Sequence, residues 1–505
     1  MTATAVRPPS PQPVRQSRAA ALQQLLAGCA QVHEPLAHWA RLRPHAAALA
    51  DEHQTLSFRQ LHQRVQQHAA LLDAQRAPHT VLLDGALDTA WTLVQFLGTT
   101  ASGRCAAVGD AAWPAPVARS VQAAIAALPA PAPQADPGLA PFYVGFTSGS
   151  SGQPKGFRRH HRSWMESFRV SLQDFGDAAG ARVLAPGRMA HSLFLFGAML
   201  GLASGAGAVV QAQFSAERML HDLAQTEVLV AVPSQLIVML QLARRRGQAP
   251  LPGVRLVLIS GARWMRDHTA ALRQLLPNAR IVEFYGASEA SYITWMHAGA
   301  HAPAQAVGRA FSNVELRIGD DPHAPLPIGA PGRIWMRSPM LFIDYVHAHD
   351  GSAALQQDGW LSVRDVGWLD ADGLLHLCGR ESRMLVTQGK NLFAEEVEAR
   401  LLDHPAVTQA SVTGAADALR GTRVHAIIAA APSQVLPGAP ELARWCRDAL
   451  EAYKAPRHWW CWSGPWPLTP SGKTDHAALA RALAQHLAQP QGDGPLQPLP
   501  RQDGA

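Results

Sequence analysis

The sequence contains very little lysine. Of its 44 basic residues only four are lysines, namely Lys155, Lys390, Lys454 and Lys473. Since arginine serves as the general cation, lysine remains where a compact charge on a slim stem is needed, which a planar guanidinium cannot imitate. All but Lys454 stand beside glycine in loop-like sequence, where the backbone can close on a ligand. We therefore expect these lysines to mark a binding site.

Cysteine and long apolar runs are also scarce. The five cysteines are scattered without metal-binding spacing, so we interpret them as reduced thiols and exclude a disulfide framework. No run reaches 18 uninterrupted apolar residues, which excludes a helical membrane span. Residues 1–20 lack an apolar h-region, so we expect a cytoplasmic and not a secreted protein. The net charge of +6 is spread along the chain and argues against a nucleic-acid partner.

Helical and strand patterns alternate along most of the chain. An amphipathic helix is predicted at 60–74 and a short buried strand at 80–86. Strands at 254–260 and 280–286 enclose a helical stretch, which is typical of a parallel α/β sheet. The pattern changes to short β-like pieces between 306 and 378 and is then mixed again. With 505 residues and 48% apolar content, two or three globular domains are expected.

Composition shifts set the predicted domain boundaries. Both ends are rich in Pro, Gln, Gly or Arg and are expected to be disordered. We predict a disordered tail at 1–30, a large domain at 31–379, a small domain at 380–485 and a second disordered tail at 486–505.

The most distinctive segment is Phe-Thr-Ser-Gly-Ser-Ser-Gly-Gln-Pro-Lys-Gly at 146–156. Its glycines let backbone N–H groups converge, and its hydroxyls and lysine suit a polyphosphate. A flexible linker is the alternative, which the preceding strand pattern disfavours. The segment lacks Walker spacing. The stretch 471–474 does mimic the end of a Walker loop, but Pro467 stands where its first glycine would be, so Lys473 is not a Walker lysine.

The segment at 146–156 resembles the phosphate loop of the adenylate-forming superfamily, which includes acyl-CoA synthetases. Further motifs of that superfamily follow in order, between about 140 and 476, with weaker similarity from 33 to 110. They are Ala190-His191-Ser192, Tyr285-Gly286-Ala287-Ser288-Glu289, Asp358-Gly359-Trp360 with Asp365, Gly379-Arg380, Gly389-Lys390-Asn391, Tyr453-Lys454-Ala455-Pro456 and Pro470-Ser471-Gly472-Lys473. All four lysines fall inside these motifs.

The resemblance implies a fold and a reaction. The expected α/β fold has a large N-terminal domain of parallel α/β sheets with a small β-barrel-like part, followed by a mobile small α+β domain. The expected reaction joins a small-molecule carboxylic acid to ATP, giving an acyl-adenylate and pyrophosphate. A thiol, that of CoA or of an acyl carrier protein, then displaces AMP. The implied cofactors and co-substrates are ATP, Mg²⁺ and CoA.

The resemblance also assigns residues to each part of the site. The ATP- or AMP-binding residues would be Thr147, Ser148, Gly149, Ser150, Ser151, Gly152, Lys155, Gly261, Ala262, Tyr285, Gly286, Asp365 and Arg380. The catalytic residues would be Lys473, Glu289, Ser288 and His191. The acyl pocket would include His191, Ser192 and Phe194, and the thiol step would use Gly389 and Lys390.

Four of these residues carry the chemistry. Glu289 would bind Mg²⁺, a hard cation that prefers oxygen ligands, and Ser288 would donate to the α-phosphate. Asp365 would accept both ribose hydroxyls. Lys473 would bridge the substrate carboxylate and the α-phosphate and so stabilise the charge of the transition state. A solvated loop acid at Glu289 and a turn acid at Asp365 remain the alternatives.

The small domain would rotate about a hinge that begins at Gly379-Arg380, moving Lys473 out and the Gly389 turn in. The chain departs from the family pattern in two places here. Arg364 replaces the usual glycine before Asp365 and is expected to contact a phosphate, and Ser382 stands at the usual Asp or Lys of the hinge.

The acyl-pocket residues bear on the choice of acid. Ser192 stands where amino-acid-activating relatives carry aspartate, so an α-amino acid is disfavoured. The apolar stretch 193–210 is expected to contribute its first turn to the wall of an apolar acyl or aryl pocket, although it would serve equally as a buried helix, and His191 could be a packed core histidine. The basic residues at 158–162 would meet CoA phosphates, meet an acidic carrier, or form a solvated face.

We therefore expect an acid–thiol ligase that makes a hydrophobic, fatty acyl-CoA. Two alternatives remain open. One is an acyl- or aryl-AMP ligase that loads a phosphopantetheinyl carrier protein, and the other is an adenylate-binding sensor without turnover.

Overall fold

The computed structural model describes residues 17–85, 88–148, 154–299, 303, 305–347, 353–417, 421–431, 434–469, 473–489 and 494–500. The helices are α1 (Arg18–Ala27), α2 (Glu34–Leu42), α3 (Phe58–Ala74), α4 (Thr89–Ala101), α5 (Ala115–Ala126), α6 (His161–Phe175), α7 (Ser192–Ala203), α8 (Ala216–Leu223), α9 (Pro233–Arg246), α10 (Thr269–Leu275), α11 (Ala394–Leu402), α12 (Ala439–Arg447) and α13 (His476–Ala488).

The strands of the first half are β1 (Ala47–Ala50), β2 (Thr55–Ser57), β3 (Thr80–Leu83), β4 (Cys105–Val108), β5 (Pro141–Ser148), β6 (Pro154–His160), β7 (Val183–Ala185), β8 (Ala208–Val210), β9 (Val228–Ala231), β10 (Leu256–Ile259), β11 (Arg280–Ala287) and β12 (Ser291–His297). Those of the second half are β13 (Ala306–Ala310), β14 (Glu315–Ile318), β15 (Gly332–Arg337), β16 (Asp344–His347), β17 (Leu355–Gln357), β18 (Trp360–Ser362), β19 (Asp365–Leu369), β20 (Leu375–Arg380), β21 (Met384–Thr387), β22 (Lys390–Phe393), β23 (Val407–Asp417), β24 (Gly421–Ala430), β25 (His458–Trp462) and β26 (Leu496–Pro498).

The predicted parallel sheet forms the centre of the large domain. Strands β1, β8, β7, β9, β10 and β11 lie side by side in parallel. The residues of β7, β8, β9 and β10 are all buried, because helices cover both faces of such a sheet. Helix α9 connects β9 to β10, a crossover that the sequence analysis did not include and that parallel neighbours require.

A second sheet holds the phosphate-loop segment. Strands β3, β4 and β5 run parallel, and β6 and then β16 are added antiparallel. The loop predicted to bind phosphate connects β5 to β6, so the strands fix both of its ends.

The stretch predicted to be β-like, 306–378, contains strands β13 to β20, which pair antiparallel. All of them except β16 continue the large sheet beyond β11 and β12. The small domain follows. It contains the hairpin β21–β22, the sheet β23–β24–β25–β26 and a core of its own around Val397, Ile428 and Leu442. The predicted two-part α/β architecture is confirmed.

The expectation of disordered tails is wrong for two segments. Helix α1 lies inside the predicted tail 1–30, and its Leu22 and Leu26 are buried in the large core. Strand β26 lies inside the predicted tail 486–505 and pairs with β25. A few apolar side chains suffice to dock these pieces, and composition alone did not reveal them. None of the described helices has the length and apolar character needed to cross a bilayer.

Candidate active site

The end of β5 and the start of β6 position Lys155, the lysine predicted to bind phosphate. Thr147 and Lys155 are direct cross-strand partners. The Lys155 ammonium lies 5.2 Å from the ring centroid of Tyr345, which β16 supplies from the neighbouring position in the same sheet. The predicted ligands Gly149, Ser150, Ser151 and Gly152, and the side chain of Ser148, fall outside the described residues.

Tyr345 also binds the predicted metal ligand. Its hydroxyl donates to Oε1 of Glu289 over 2.7 Å, and the backbone N–H of Phe342 donates to the Glu289 carbonyl over 2.7 Å. Burial, together with the Glu289 carboxylate, raises the pKa of Tyr345, so the phenol keeps its proton. Tyr345 thus contacts both Lys155 and Glu289.

The turn that carries Ser288 and Glu289 is unusually tight. A Cβ on Gly286 would lie 2.3 Å from the Ser291 carbonyl oxygen, so only glycine fits there. Ser291 itself has φ +60°, which a non-glycine residue seldom adopts. The turn therefore needs support from its surroundings.

Asp365 joins two other predicted residues. Its Oδ2 accepts from the Tyr285 hydroxyl at 2.5 Å, and its Oδ1 accepts from Nε of Arg380 at 2.9 Å. The aspartate side chain is only 3% exposed. Burial and the neighbouring Asp365 raise the pKa of Tyr285, and the charge of Asp365 raises that of Arg380. These two donors therefore fix the orientation of the Asp365 carboxylate.

Lys473 reaches this group from the small domain. Its Cε lies 3.7 Å from where a Cβ on Gly261 would stand, and Gly261 has φ +91°. Burial lowers the pKa of Lys473, and Arg380 lowers it further, whereas Asp365 and Glu289 raise it. Lys473 and Arg380 are both solvent-exposed. We call the region between Gly261, Asp365 and these two cations the cleft. Ala262 is exposed at the same loop.

The acyl-pocket residues lie at the start of α7. His191 precedes the helix as its N-cap and Ser192 is its first residue; both are half-buried. Phe194 is 5% exposed, and its ring packs directly on Gly187. Farther along, Gly197 packs on Val230 of β9. Only the first turn of α7 is therefore partly open, and its body belongs to the core.

The Gly389 turn is exposed to solvent. Gln388 and Gly389 have φ +55° and +73° and form a two-residue hairpin turn between β21 and β22. A Cβ on Gly389 would meet no atom within 4 Å. Lys390 is exposed, and its ammonium lies 4.9 Å from the Tyr453 ring centroid.

Ion pairs bracket the predicted hinge. On one side Glu381 accepts from Arg333 at 2.6 Å and from Arg364 at 3.3 Å, both in the large domain. On the other side Arg383 binds Glu395 and Glu398 of α11. The geometry of Arg364 does not favour the expected contact with a phosphate. Its guanidinium instead donates to the Glu381 carboxylate and to the Ala353 carbonyl.

The basic stretch 158–162 is not one solvated face. Arg159 is 1% and His161 2% exposed, because alternate residues at the end of β6 point into the protein. The imidazole of His161 stacks on Phe142 and accepts a hydrogen bond from the Val32 N–H. Burial in this position lowers the pKa of His161 to about 3. Arg158 pairs with Asp344 on the outer face.

Sequence reasoning missed Tyr345 and the buried position of Arg159. Tyrosine is rare here, with five in the chain, and two of them, Tyr285 and Tyr345, bind site carboxylates. Tyrosine is thus nearly as scarce as lysine in this chain, and its scarcity could have drawn attention to Tyr345.

Comparisons with known proteins agree with this geometry. The AMP-binding enzyme family model matches residues 92–346, and that of the AMP-binding enzyme C-terminal domain matches 396–473. The uncharacterized acyl–CoA ligase YhfT of Bacillus subtilis is 35% identical over 71% of this chain and 71% of its own. The putative long chain fatty acid–CoA ligase VraA of Staphylococcus epidermidis is 29% identical over 54% of this chain and 57% of its own.

A solved structure of similar fold is that of ATP-bound MatB from Rhodopseudomonas palustris. Its TM-score is 0.74 at 20% identity, covering 89% of this chain and 98% of that one. The two family models match the large and small domains in turn. The protein therefore belongs to the AMP-binding enzyme family and is an adenylate-forming acyl–CoA ligase.

Proposed function

We propose that this ligase activates a hydrophobic acid of the fatty acyl class and transfers it to CoA, releasing AMP and pyrophosphate. The observation that carries the proposal is the position of Lys473 beside Gly261, in a cleft it shares with Asp365, Arg380 and Glu289. The apolar side chains that follow Ser192 support a hydrophobic acid. The name of the staphylococcal relative supports the fatty acyl class.

In the first step a carboxylate oxygen of the acid attacks the α-phosphorus of ATP, and the bond to the β-phosphate breaks. Negative charge collects on the α-phosphate oxygens, where a fixed cation and hydroxyl donors stabilise it most. Lys473 supplies the cation and holds the two anionic reactants together. Ser288 donates to the same phosphate, and Lys155 binds the phosphates that leave.

Glu289 suits Mg²⁺. Tyr345 holds its Oε1, which leaves Oε2 for the ion. The described residues contain no group of three or more His, Cys, Asp or Glu side chains that could hold a metal, and Mg²⁺ commonly takes one or two carboxylates plus substrate phosphates and water. When bound, Mg²⁺ would neutralise charge on the pyrophosphate leaving group.

Asp365 would hold the ribose. Its two oxygens offer about four lone-pair directions, of which Tyr285 and Arg380 use two. The remaining ones would accept the ribose hydroxyls, and the buried carboxylate would fix the nucleoside relative to Lys473.

In the second step the thiol sulfur attacks the acyl carbon and AMP leaves. Gly389 and Lys390 would take part after the small domain turns. The turn is exposed while Lys473 occupies the cleft, which is the arrangement that the first step requires.

The test is pyrophosphate release with acids of graded length and type, with and without CoA. We expect a fatty acid to give release that CoA accelerates, with acyl-CoA as product. Release that CoA leaves unchanged would point to a carrier-protein thiol, and preference for a short or polar acid would refute the fatty acyl class. ATP binding without release for any acid would indicate the sensor alternative.

A further inference from the structure

Arg159 is a cation buried without an anionic partner. It is 1% exposed, and no carboxylate lies within ion-pair distance of its guanidinium among the residues that the structure describes. Burying a charge is costly unless hydrogen bonds compensate for the lost water. Burial lowers the pKa of Arg159 to about 10, so it is still a cation at neutral pH.

Four neutral acceptors surround this guanidinium. Its Nη1 donates to the Ser288 carbonyl at 2.5 Å, and its Nη2 donates to the Ser291 hydroxyl at 2.6 Å and to the Met340 carbonyl at 2.5 Å. Its Nε donates to the Ser163 hydroxyl at 3.1 Å. Arginine's planar fork reaches several fixed acceptors at once, which a lysine ammonium cannot reproduce.

Three of these acceptors, at Ser288, Ser291 and Met340, belong to the two segments that hold Glu289. Ser288 and Ser291 bracket the strained turn. Met340 begins the segment whose Phe342 N–H binds the Glu289 carbonyl. Arg159 itself lies on β6, four residues after Lys155 on the same strand. One side chain therefore ties the lysine strand, the turn of Ser288 and Glu289, and the segment leading to Tyr345.

We propose that Arg159 is a positioning residue for ATP activation, which fixes Ser288 and Glu289 relative to Lys155. This rests on the proposed roles of Ser288 and Glu289 in binding the α-phosphate and Mg²⁺.

The experiment compares Arg159→Met and Arg159→Lys with Arg158→Met, which removes a guanidinium from the neighbouring position of the same strand but on the outer face. Thermal unfolding of each variant first establishes that it folds. We expect Arg159→Met to slow acyl-adenylate formation about 100-fold, the size of effect that a misplacement near 1 Å produces. It should also raise the Mg²⁺ concentration for half-maximal rate, with Arg159→Lys only partly restoring both.

The transfer of the acyl group from supplied acyl-adenylate to CoA should change far less in the Arg159 variants. The control variant Arg158→Met should leave every measured rate near that of the wild type. A folded Arg159→Met variant with unchanged adenylation and Mg²⁺ dependence would overturn the proposal. Equal loss in both half-reactions would also overturn it, because that pattern indicates general damage.

Two further measurements keep the test decisive. If Arg159→Met fails to fold, Ser291→Ala removes a single acceptor, and we expect adenylation to fall about tenfold, the equivalent of one weak hydrogen bond to a charged group; an unchanged rate would overturn the proposal. If the wild type releases no pyrophosphate with any acid, the proposed function fails independently. The rise in unfolding temperature that Mg²⁺ and ATP produce then tests the positioning role of Arg159. An equal rise in the wild type and in Arg159→Met would overturn that role.

Discussion

Lys473 is the residue on which the first chemical step depends most. Its ammonium shares the cleft with Asp365, Arg380 and Glu289. We expect Lys473→Ala to reduce acyl-adenylate formation by at least about 100-fold, as removal of a single preorganised donor to a developing anion does. Transfer of supplied acyl-adenylate to CoA should be largely preserved. Pyrophosphate release and thioester formation, measured separately, check this, and equal loss of both would contradict the assignment.

The same residue predicts a pH dependence. Burial and Arg380 lower the pKa of Lys473, so its proton is lost at a pH below that of an ordinary lysine, about 10.4. Adenylation should therefore decline on the alkaline side earlier than an unperturbed lysine would allow. Tyr285 and Tyr345 cannot account for such a decline, because burial raises their pKa values.

The thioester half-reaction provides the internal control for this profile. Since the CoA thiol becomes a better nucleophile as it deprotonates, that step should hold or rise over the same pH range. The rate of each half-reaction against pH is the measurement. An adenylation rate that stays constant beyond pH 10.4 would refute the role of the Lys473 ammonium.

Individual residues of this site were predictable to different degrees. The rare lysines and the glycine-rich stretch identified Lys155 and Lys473 from local sequence. The roles of Tyr345 and Arg159 were not identified, because they arise from partners at Glu289, Ser288 and Met340. Each of these partners lies more than 50 residues away along the chain. Contacts of that separation are set by sheet topology, which local patterns do not encode.

At the level of elements, the hairpin turn between β21 and β22 is the clearest case for substitution. Gly389 has φ +73° with open space around its Cβ position, and Gly373, in the turn before β20, has φ +74° and equally open space. Alanine at either position should cost a similar 1–2 kcal/mol, roughly the penalty for an L-residue in left-handed conformation. The two glycines are therefore matched in strain.

Their catalytic effects should differ. We expect Gly389→Ala to slow the thioester step and to spare adenylation, whereas Gly373→Ala should leave the ratio of the two steps unchanged. Rates of the two half-reactions in both variants, with thermal unfolding alongside, check this. Identical kinetic profiles for the two variants would mean that the Gly389 turn acts only through stability.

Elements were predicted well where one pattern dominates a long stretch. The helix expected at 60–74 is α3, Phe58–Ala74, and the strands expected at 254–260 and 280–286 are β10 and β11. Helix α1 was missed because its ten residues lie next to a proline-rich segment and depend on docking to α6. Tertiary packing, and not local propensity, stabilises such a short helix.

For the whole molecule, the ion pairs around the hinge define a pivot. Glu381 is bound to the large domain by Arg333 and Arg364, and Arg383 is bound to the small domain by Glu395 and Glu398. Ser382 is the residue between them. We infer that a rotation of the small domain changes backbone dihedrals there.

Proline at this pivot should separate the two steps. Because proline fixes φ near −65°, we expect Ser382→Pro to block thioester formation while adenylation continues, and Ser382→Ala to leave both steps intact. Single-turnover acyl-adenylate formation followed by addition of CoA measures each step. Wild-type thioester rates in a folded Ser382→Pro variant would place the pivot elsewhere.

The last described strand has a consequence for handling the protein. Strand β26 covers β25, whose sequence His-Trp-Trp-Cys-Trp carries three tryptophans. Prolines at 495, 498 and 500 deny β26 some of the N–H groups that a further strand would need, which blunts this edge. Truncation of the chain after α13 would expose the edge of the tryptophan-rich strand β25, with unpaired backbone hydrogen-bonding groups. We expect the truncated protein to aggregate in solution even though its catalytic cleft is unchanged.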